Sequence, residues 1–207
     1  MMKIEKFVLG SMATNCYLLI NEETKEIVVV DPATCPDYLV NHVKSNGYIP
    51  KAILLTHAHF DHVMGIDGWV MEFAIPVYLH EEETAILADQ KLNLSYMFGT
   101  YFSYNQVREL KDGELLEVAG LEFQVIHTPG HTAGGCCFYE EAEGVLISGD
   151  TLFYRSVGRS DFPTGDMETL VSSIREKLFC LPDDVMVYPG HDRVTCIADE
   201  KMGNSFV

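Results

Sequence analysis

Thr56-His57-Ala58-His59-Phe60-Asp61-His62 gathers three histidines and an aspartate into seven residues, in a chain that has only 8 histidines among 207 residues. The apolar run Ala52-Ile53-Leu54-Leu55 leads directly into it. That run reads as a short buried strand, so the polar group sits where a strand gives way to other structure. On a continuous helix His57 and Asp61 would share one face while His59 and His62 shared another. Four donors could then not reach a single ion. A loop leaving a strand can turn all four inward, and the division into two pairs already hints at two metals.

Working outward, three further stretches have the same character. Pro129-Gly130-His131-Thr132 and Pro189-Gly190-His191-Asp192 each place a histidine after a Pro-Gly turn, and Ser148-Gly149-Asp150-Thr151 places a carboxylate after an apolar run. Glycine lets the backbone come close and take unusual φ, which suits a side chain projected from a tight turn. The candidate metal donors are therefore His57, His59, Asp61, His62, His131, Asp150 and His191. A single zinc takes four ligands when structural, and three plus water when catalytic. Seven groups exceed one ion and suit two sets of three sharing a carboxylate.

The surrounding pattern predicts strands over Lys3–Leu9, Cys16–Ile20, Glu26–Val30, Ala52–Leu55, Pro76–His80, Leu121–His127, Gly135–Tyr139, Gly144–Ile147 and Val185–Tyr188. Helices are predicted over Pro36–Ser45, Glu81–Ala88 and Met167–Phe179, the last capped by Asp166. Strands alternating with helices imply an α/β or α+β chain with layered sheets and helices outside. The strands end beside the candidate donors, where a rigid sheet supports reactive loops.

The spacing H-x-H-x-D-H followed by H, D and H, over residues 57 to 191, resembles the metallo-β-lactamase superfamily. That resemblance implies one domain over 1–207, folded as an αβ/βα four-layer sandwich of two mixed sheets flanked by helices. It implies that His57, His59 and His131 hold one divalent ion and that Asp61, His62 and His191 hold another. Asp150 would stand between them, and Asp61 would also orient the attacking hydroxide. Zinc suits imidazole and carboxylate donors, and iron and manganese tolerate the same set. The stretches Gly149–Phe153, Gly158–Asp161 and Leu92–Ser95 are similar to glyoxalase II-like hydrolases. The activity this implies is cleavage of a thioester, such as S-(hydroxyacyl)glutathione, by a hydroxide shared between the metals.

Two alternatives come from the same residues. Gly158–Phe162 and Pro189–Asp192 also resemble persulfide dioxygenases, whose single iron would use His57, His131 and Asp150. A lactonase would share the whole donor set. Glyoxalase II of the animal type adds a helical glutathione-binding domain, whereas this sequence ends at Val207, shortly after His191; glutathione recognition through such a domain is not expected.

Composition narrows the partners. The formal net charge is −17, which repels phosphate backbones and disfavours nucleic acid. No apolar run reaches transmembrane length and none has signal-peptide form. The six cysteines show no C-x-x-C pair and read as reduced thiols, so a cytoplasmic enzyme acting on a small molecule is expected.

Arg159 is expected to contact the substrate, because a guanidinium clamps a carboxylate with two hydrogen bonds; pairing with Asp161 is the competing reading. Asp31 is expected to give turn and hydrogen-bond support, and His127 a supporting role. Asp192 stands where related hydrolases often carry glycine. The aromatic segment Leu92–Tyr104 reads as a flap over the site, an oligomer contact or core.

Overall fold

The computed structural model describes residues 1–207, and its strands form two six-stranded sheets. The first comprises β1 (Met2–Leu9), β2 (Thr14–Asn21), β3 (Glu26–Val30), β4 (Ile49–Leu54), β5 (Val77–His80) and β6 (Val107–Leu110), adjacent in chain order. The second contains β7 (Leu115–Val118), β8 (Leu121–His127), β9 (Cys136–Glu140), β10 (Val145–Gly149), β13 (Met186–Pro189) and β14 (Thr195–Cys196), in the order β14-β13-β10-β9-β8-β7. A small hairpin, β11 (Leu152–Phe153) with β12 (Ser156–Val157), projects beside the second sheet.

The layering follows from the period of two along each strand. Tyr17, Leu19, Val28 and Val30 from the first sheet meet Phe123, Val125, Phe138 and Ile147 from the second in the central core. The intervening Leu18, Ile20, Ile27 and Val29 point the other way, onto Leu39 and Val43 of α1 (Asp37–Ser45) and Trp69 of α3 (Ile66–Phe73). Outside the second sheet, Cys137, Tyr139 and Leu146 pack on Leu170 of α5 (Met167–Ser173) and Ile197 of α6 (Ile197–Gly203). Strands covered on both faces read as continuous apolar runs, which is why Ile27–Val30 is wholly buried. The expected αβ/βα sandwich is thus borne out.

Direction matters more than layering for the site. β3, β4, β5 and β6 run parallel, and so do β10 and β13, while β8 shares their direction because β9 runs antiparallel to both neighbours. The carboxyl ends of β3, β4, β8, β10 and β13 therefore open on one edge of the sandwich, the position at which α/β sheets bind ligands.

Several sequence expectations shift in detail. His57–His59 do leave β4 as irregular chain, but Phe60–Val63 form a single helical turn, α2, with His59 as its N-cap. The helix expected over Glu81–Ala88 divides into a 3₁₀ turn, Glu81–Glu83, and α4 (Thr84–Ala88). The one over Met167–Phe179 passes from α5 into a π-turn at Ile174–Leu178. Helices α3 and α6 and strands β6, β7 and β14 were not foreseen.

Candidate metal centre

At the shared edge, the seven candidate donors converge. His57, His59 and His131 form one group and Asp61, His62 and His191 a second, each with its donor atoms within 4.8 Å of one another. In the first, His131 Nε2 lies 2.9 Å from His59 Nδ1 and 3.3 Å from His57 Nε2. In the second, His191 Nε2 lies 3.3 Å from Asp61 Oδ2 and 3.4 Å from His62 Nε2. A tetrahedral ion with bonds of ~2.0–2.1 Å spaces its donors by roughly 3.3 Å, so both groups fit such an ion. Asp150, leaving β10, spans them: Oδ2 is 3.6 Å from His131 Nε2 and 3.5 Å from His191 Nε2, and Oδ1 is 3.5 Å from His62 Nε2. Asp150 Oδ1 is buried with no hydrogen-bond partner, a costly arrangement unless a cation meets it. The His/Asp cluster thus has the chemistry of a divalent-metal site.

The two groups differ electrostatically. Burial holds His57, His59 and His131 below the usual histidine range, helped for His57 and His59 by neighbouring imidazoles. They are neutral at pH 7 and ready to donate a lone pair. Burial works the same way on His62, but Asp61, Asp150 and Asp31 outweigh it and push this imidazole up to about 10. Asp61 in turn stays low against its burial, held by His62, His191 and Thr14. The acidic group therefore favours a cation, whether a proton on an imidazole or a metal ion.

Supporting contacts orient the donors, as outer hydrogen bonds do around metal-binding histidines. Asp31, just beyond β3, accepts from the Thr56 amide (2.8 Å) and hydroxyl (2.6 Å) and pairs with His62 Nδ1 at 2.9 Å. The hydrogen-bond support expected of it is present, directed at a candidate donor. The carbonyl of Arg159 accepts from His131 Nδ1 at 2.6 Å, and the Thr14 hydroxyl donates to Asp61 Oδ2 at 2.9 Å.

Two features escaped sequence reading. Glu83 is fully buried and accepts from the Ala58 amide (2.9 Å), the Thr132 hydroxyl (3.0 Å) and the Gly134 amide (2.8 Å). It ties the loop bearing His57 and His59 to the loop bearing His131. Nothing in Glu81-Glu82-Glu83 marks the third residue, since such a run normally reads as a solvated face. Thr14 lies 47 residues from Asp61, and no local signal connects them.

Other expectations resolve individually. Arg159 borders the cleft, but its guanidinium makes two hydrogen bonds to Asp161, at 2.9 and 2.7 Å, and lies 4.1 Å from the centre of the Phe162 ring. His127 stacks on His80 at 4.1 Å and faces the carbonyl of Ala133, two residues beyond His131. Asp192 adopts φ 64°, the left-handed region that glycine occupies most readily and aspartate tolerates. In the aromatic segment, Phe98 stacks on Phe60 at 4.4 Å and both line the cleft, whereas Phe102 belongs to the core.

Gly190 shows how tightly the centre is built. A Cβ there would lie 2.2 Å from Asp150 Oδ1 and 2.7 Å from His62 Cε1. Gly190→Ala is expected to displace both side chains and lower kcat by about 10²-fold, the scale of a 1 Å misplacement in a reacting site. Steady-state kinetics beside elemental analysis of bound metal will check it; wild-type values for both would contradict this placement.

Comparison with known proteins agrees with the fold. The family model for the metallo-beta-lactamase superfamily matches residues 9–191. The chain belongs to that superfamily and is a metal-dependent hydrolase of it. It is 34% identical over 209 residues to the hydroxyacylglutathione hydrolase GloC of Haemophilus influenzae, covering 100% of this chain and 98% of the relative. Among solved structures it resembles the BLEG-1 B3 metallo-beta-lactamase, with a TM-score of 0.94, 39% identity and 99% of each chain covered. It also resembles TTHA1623 in a di-iron-bound form, with a TM-score of 0.86, 36% identity, and 98% of this chain and 100% of that one covered.

Proposed function

We propose that this protein hydrolyses a thioester at a centre of two divalent metal ions. His57, His59 and His131 would hold one ion and Asp61, His62 and His191 the other, with Asp150 shared. Zinc is the ion this set suits best, with iron and manganese compatible. When bound, two such ions acidify water and polarise a carbonyl.

The observation that carries the thioester reading is what lines the cleft. Beyond the candidate donors it offers Arg159 and Asp192 as its charged side chains, Ser156, and otherwise apolar groups, with no further histidine and no cysteine, tyrosine or lysine. Apart from the candidate donors, then, the cleft holds no imidazole, thiol, phenol or ammonium that could protonate a poor leaving group. A thiolate leaves without that help, whereas an amine does not. Thr14 and His191 fix Asp61 Oδ2 from two sides, so this carboxylate can orient the attacking water. Arg159, paired with Asp161, would meet the substrate at the rim. The likeness to GloC supports S-(hydroxyacyl)glutathione as the reference substrate.

The test is elemental analysis of protein purified without chelator, together with turnover of a thioester panel. About two ions per chain and thioester cleavage abolished by chelation are the expected results. One iron per chain, retained in His62→Ala and accompanied by oxygen uptake on glutathione persulfide, would replace this reading with a dioxygenase. A second reading, β-lactam hydrolysis at the same centre, draws on the likeness to the B3 enzyme. It would take over if a chromogenic cephalosporin were cleaved while every thioester stayed intact.

A further inference from the structure

Four separate segments place apolar side chains around the cleft above the centre. Met12 comes from the β1–β2 turn, Phe60 from α2, its stacking partner Phe98 from the segment between α4 and β6, and Phe153, Val157 and Phe162 from the β11–β12 hairpin and the loop after it. The cavity they enclose is about 400 Å³, within the usual range for a small-molecule site. Met12 and Phe98 remain 45% and 48% exposed, so apolar surface is offered to whatever enters.

The backbone behind this wall is held in costly conformations. Ala13, Leu94, Tyr101, Arg155, Thr164 and Asp192, in the loops that form or flank the cleft, all have positive φ between 52° and 70°. Non-glycine residues adopt that region at a cost, and such strain gathers where a site is pre-shaped.

Charge points the same way. No lysine lines the cleft, its one arginine is paired with Asp161, and Asp192 adds a negative charge. Glutathione carries two carboxylates and one ammonium, and an anionic thiol of this kind needs cations that are not already paired. The net charge of −17 adds repulsion over a range of about 8 Å at physiological salt.

We infer that the preferred substrate is a thioester with an apolar acyl group, alkyl or aryl, on an uncharged thiol. This refinement rests on the thioesterase reading above. In the reaction, water oxygen bonds to the acyl carbon, the C–S bond breaks and the sulfur leaves as thiolate. Of the two protons of the water, one passes to the thiolate and the other is released, so the products are the apolar carboxylate, the free thiol and a proton. Phe98 and Met12 determine specificity by covering the acyl group.

The test compares acetyl, butyryl and hexanoyl thioesters of N-acetylcysteamine with the same acyl groups on glutathione, using the metal-loaded protein. On the neutral thiol, kcat/KM is expected to rise about fourfold per methylene, the equivalent of ~0.8 kcal/mol. For one acyl group it should favour N-acetylcysteamine over glutathione. Phe98→Ala and Met12→Ala are each expected to lower the hexanoyl-to-acetyl ratio about tenfold, with thermal melts showing that both variants fold. Calorimetry with the uncleavable S-hexyl thioethers of the two thiols gives a second readout, expected to favour the neutral one. A flat chain-length series, or a tenfold preference for glutathione, would overturn the inference and leave the thioesterase reading standing. Tight binding of the neutral thioether with no thioester cleaved would do the reverse.

Discussion

Asp150→Ala is expected to lower kcat/KM for thioester cleavage by about 10³-fold or more. Its carboxylate lies within 3.6 Å of His131, His62 and His191 at once, and Oδ1 is buried without a partner. On the two-ion reading proposed above, removing it would take an anion from between two cations and release their shared placement. Metal ions supply several kcal/mol of charge stabilisation in such a transition state, and a loss of ~4 kcal/mol corresponds to about 10³-fold in rate. Metal content should fall below two ions per chain in the same variant. Asp150→Asn distinguishes charge from shape, because it keeps the side-chain volume and removes the negative charge. It is expected to lose most of the activity as well. Near-wild-type rates in both variants, at full metal content, would remove Asp150 from the centre.

The second large effect is expected at Glu83, a residue that touches none of the candidate donors. Glu83→Ala strands the buried Ala58 and Gly134 amides and the Thr132 hydroxyl. Each unsatisfied group costs about 1–3 kcal/mol, partly offset by no longer burying a carboxyl group. A net loss of roughly 3 kcal/mol is expected, seen as a melting temperature lower by roughly 10 °C. Metal affinity of the His57, His59 and His131 group should fall about 10–100-fold, read by competition with a chromogenic chelator.

Glu83 also makes a pH prediction. Burial pushes its pKa up to about 7, against the downward pull of the hydrogen bonds from Ala58, Thr132 and Gly134, from an ordinary value of 4.5. A carboxyl raised in the folded state holds its proton more tightly there than when unfolded. Its contribution to stability is therefore complete below about pH 4.5 and is lost as pH rises through about 7. Glu83→Gln cannot ionise. The stability of wild type relative to Glu83→Gln, followed by melting temperature, should fall between pH 5 and 8, by on the order of 3 kcal/mol at most. Parallel melting curves across that range would show that Glu83 does not titrate there.

Much of the fold was legible locally. Ile27–Val30 and Leu146–Ile147 read as buried strands because both their faces are covered. Strand β4 begins at Ile49, earlier than expected, because Pro50 and Lys51 look unlike a strand interior. Helix α3 carries Gly65 at its N-cap and Gly68 within it, residues that weaken a helical pattern; at Gly68 a Cβ would lie 2.6 Å from Cys35 Cβ, a contact that no window of sequence contains. Helix α6 is anchored by the buried Glu200, which accepts from Thr195, Asn204 and the Arg155 amide. The last of these comes from a distant hairpin.

The sequence by itself determined the supply of donors, the strands that precede them and the count that exceeds one ion. These follow from residue chemistry and short-range periodicity, both written in neighbouring positions. Only the tertiary structure decided which donors meet. His131 reaches His59 and His57 across 72 and 74 residues, and His191 reaches His62 across 129. It also chose Glu83 over Glu81 and Glu82 for burial, turned the Arg159 guanidinium toward Asp161, and lined the cleft with apolar groups from four segments. Such choices depend on which strands lie side by side and point the same way. That order is set by the packing of the whole sandwich, and no single stretch of chain carries it.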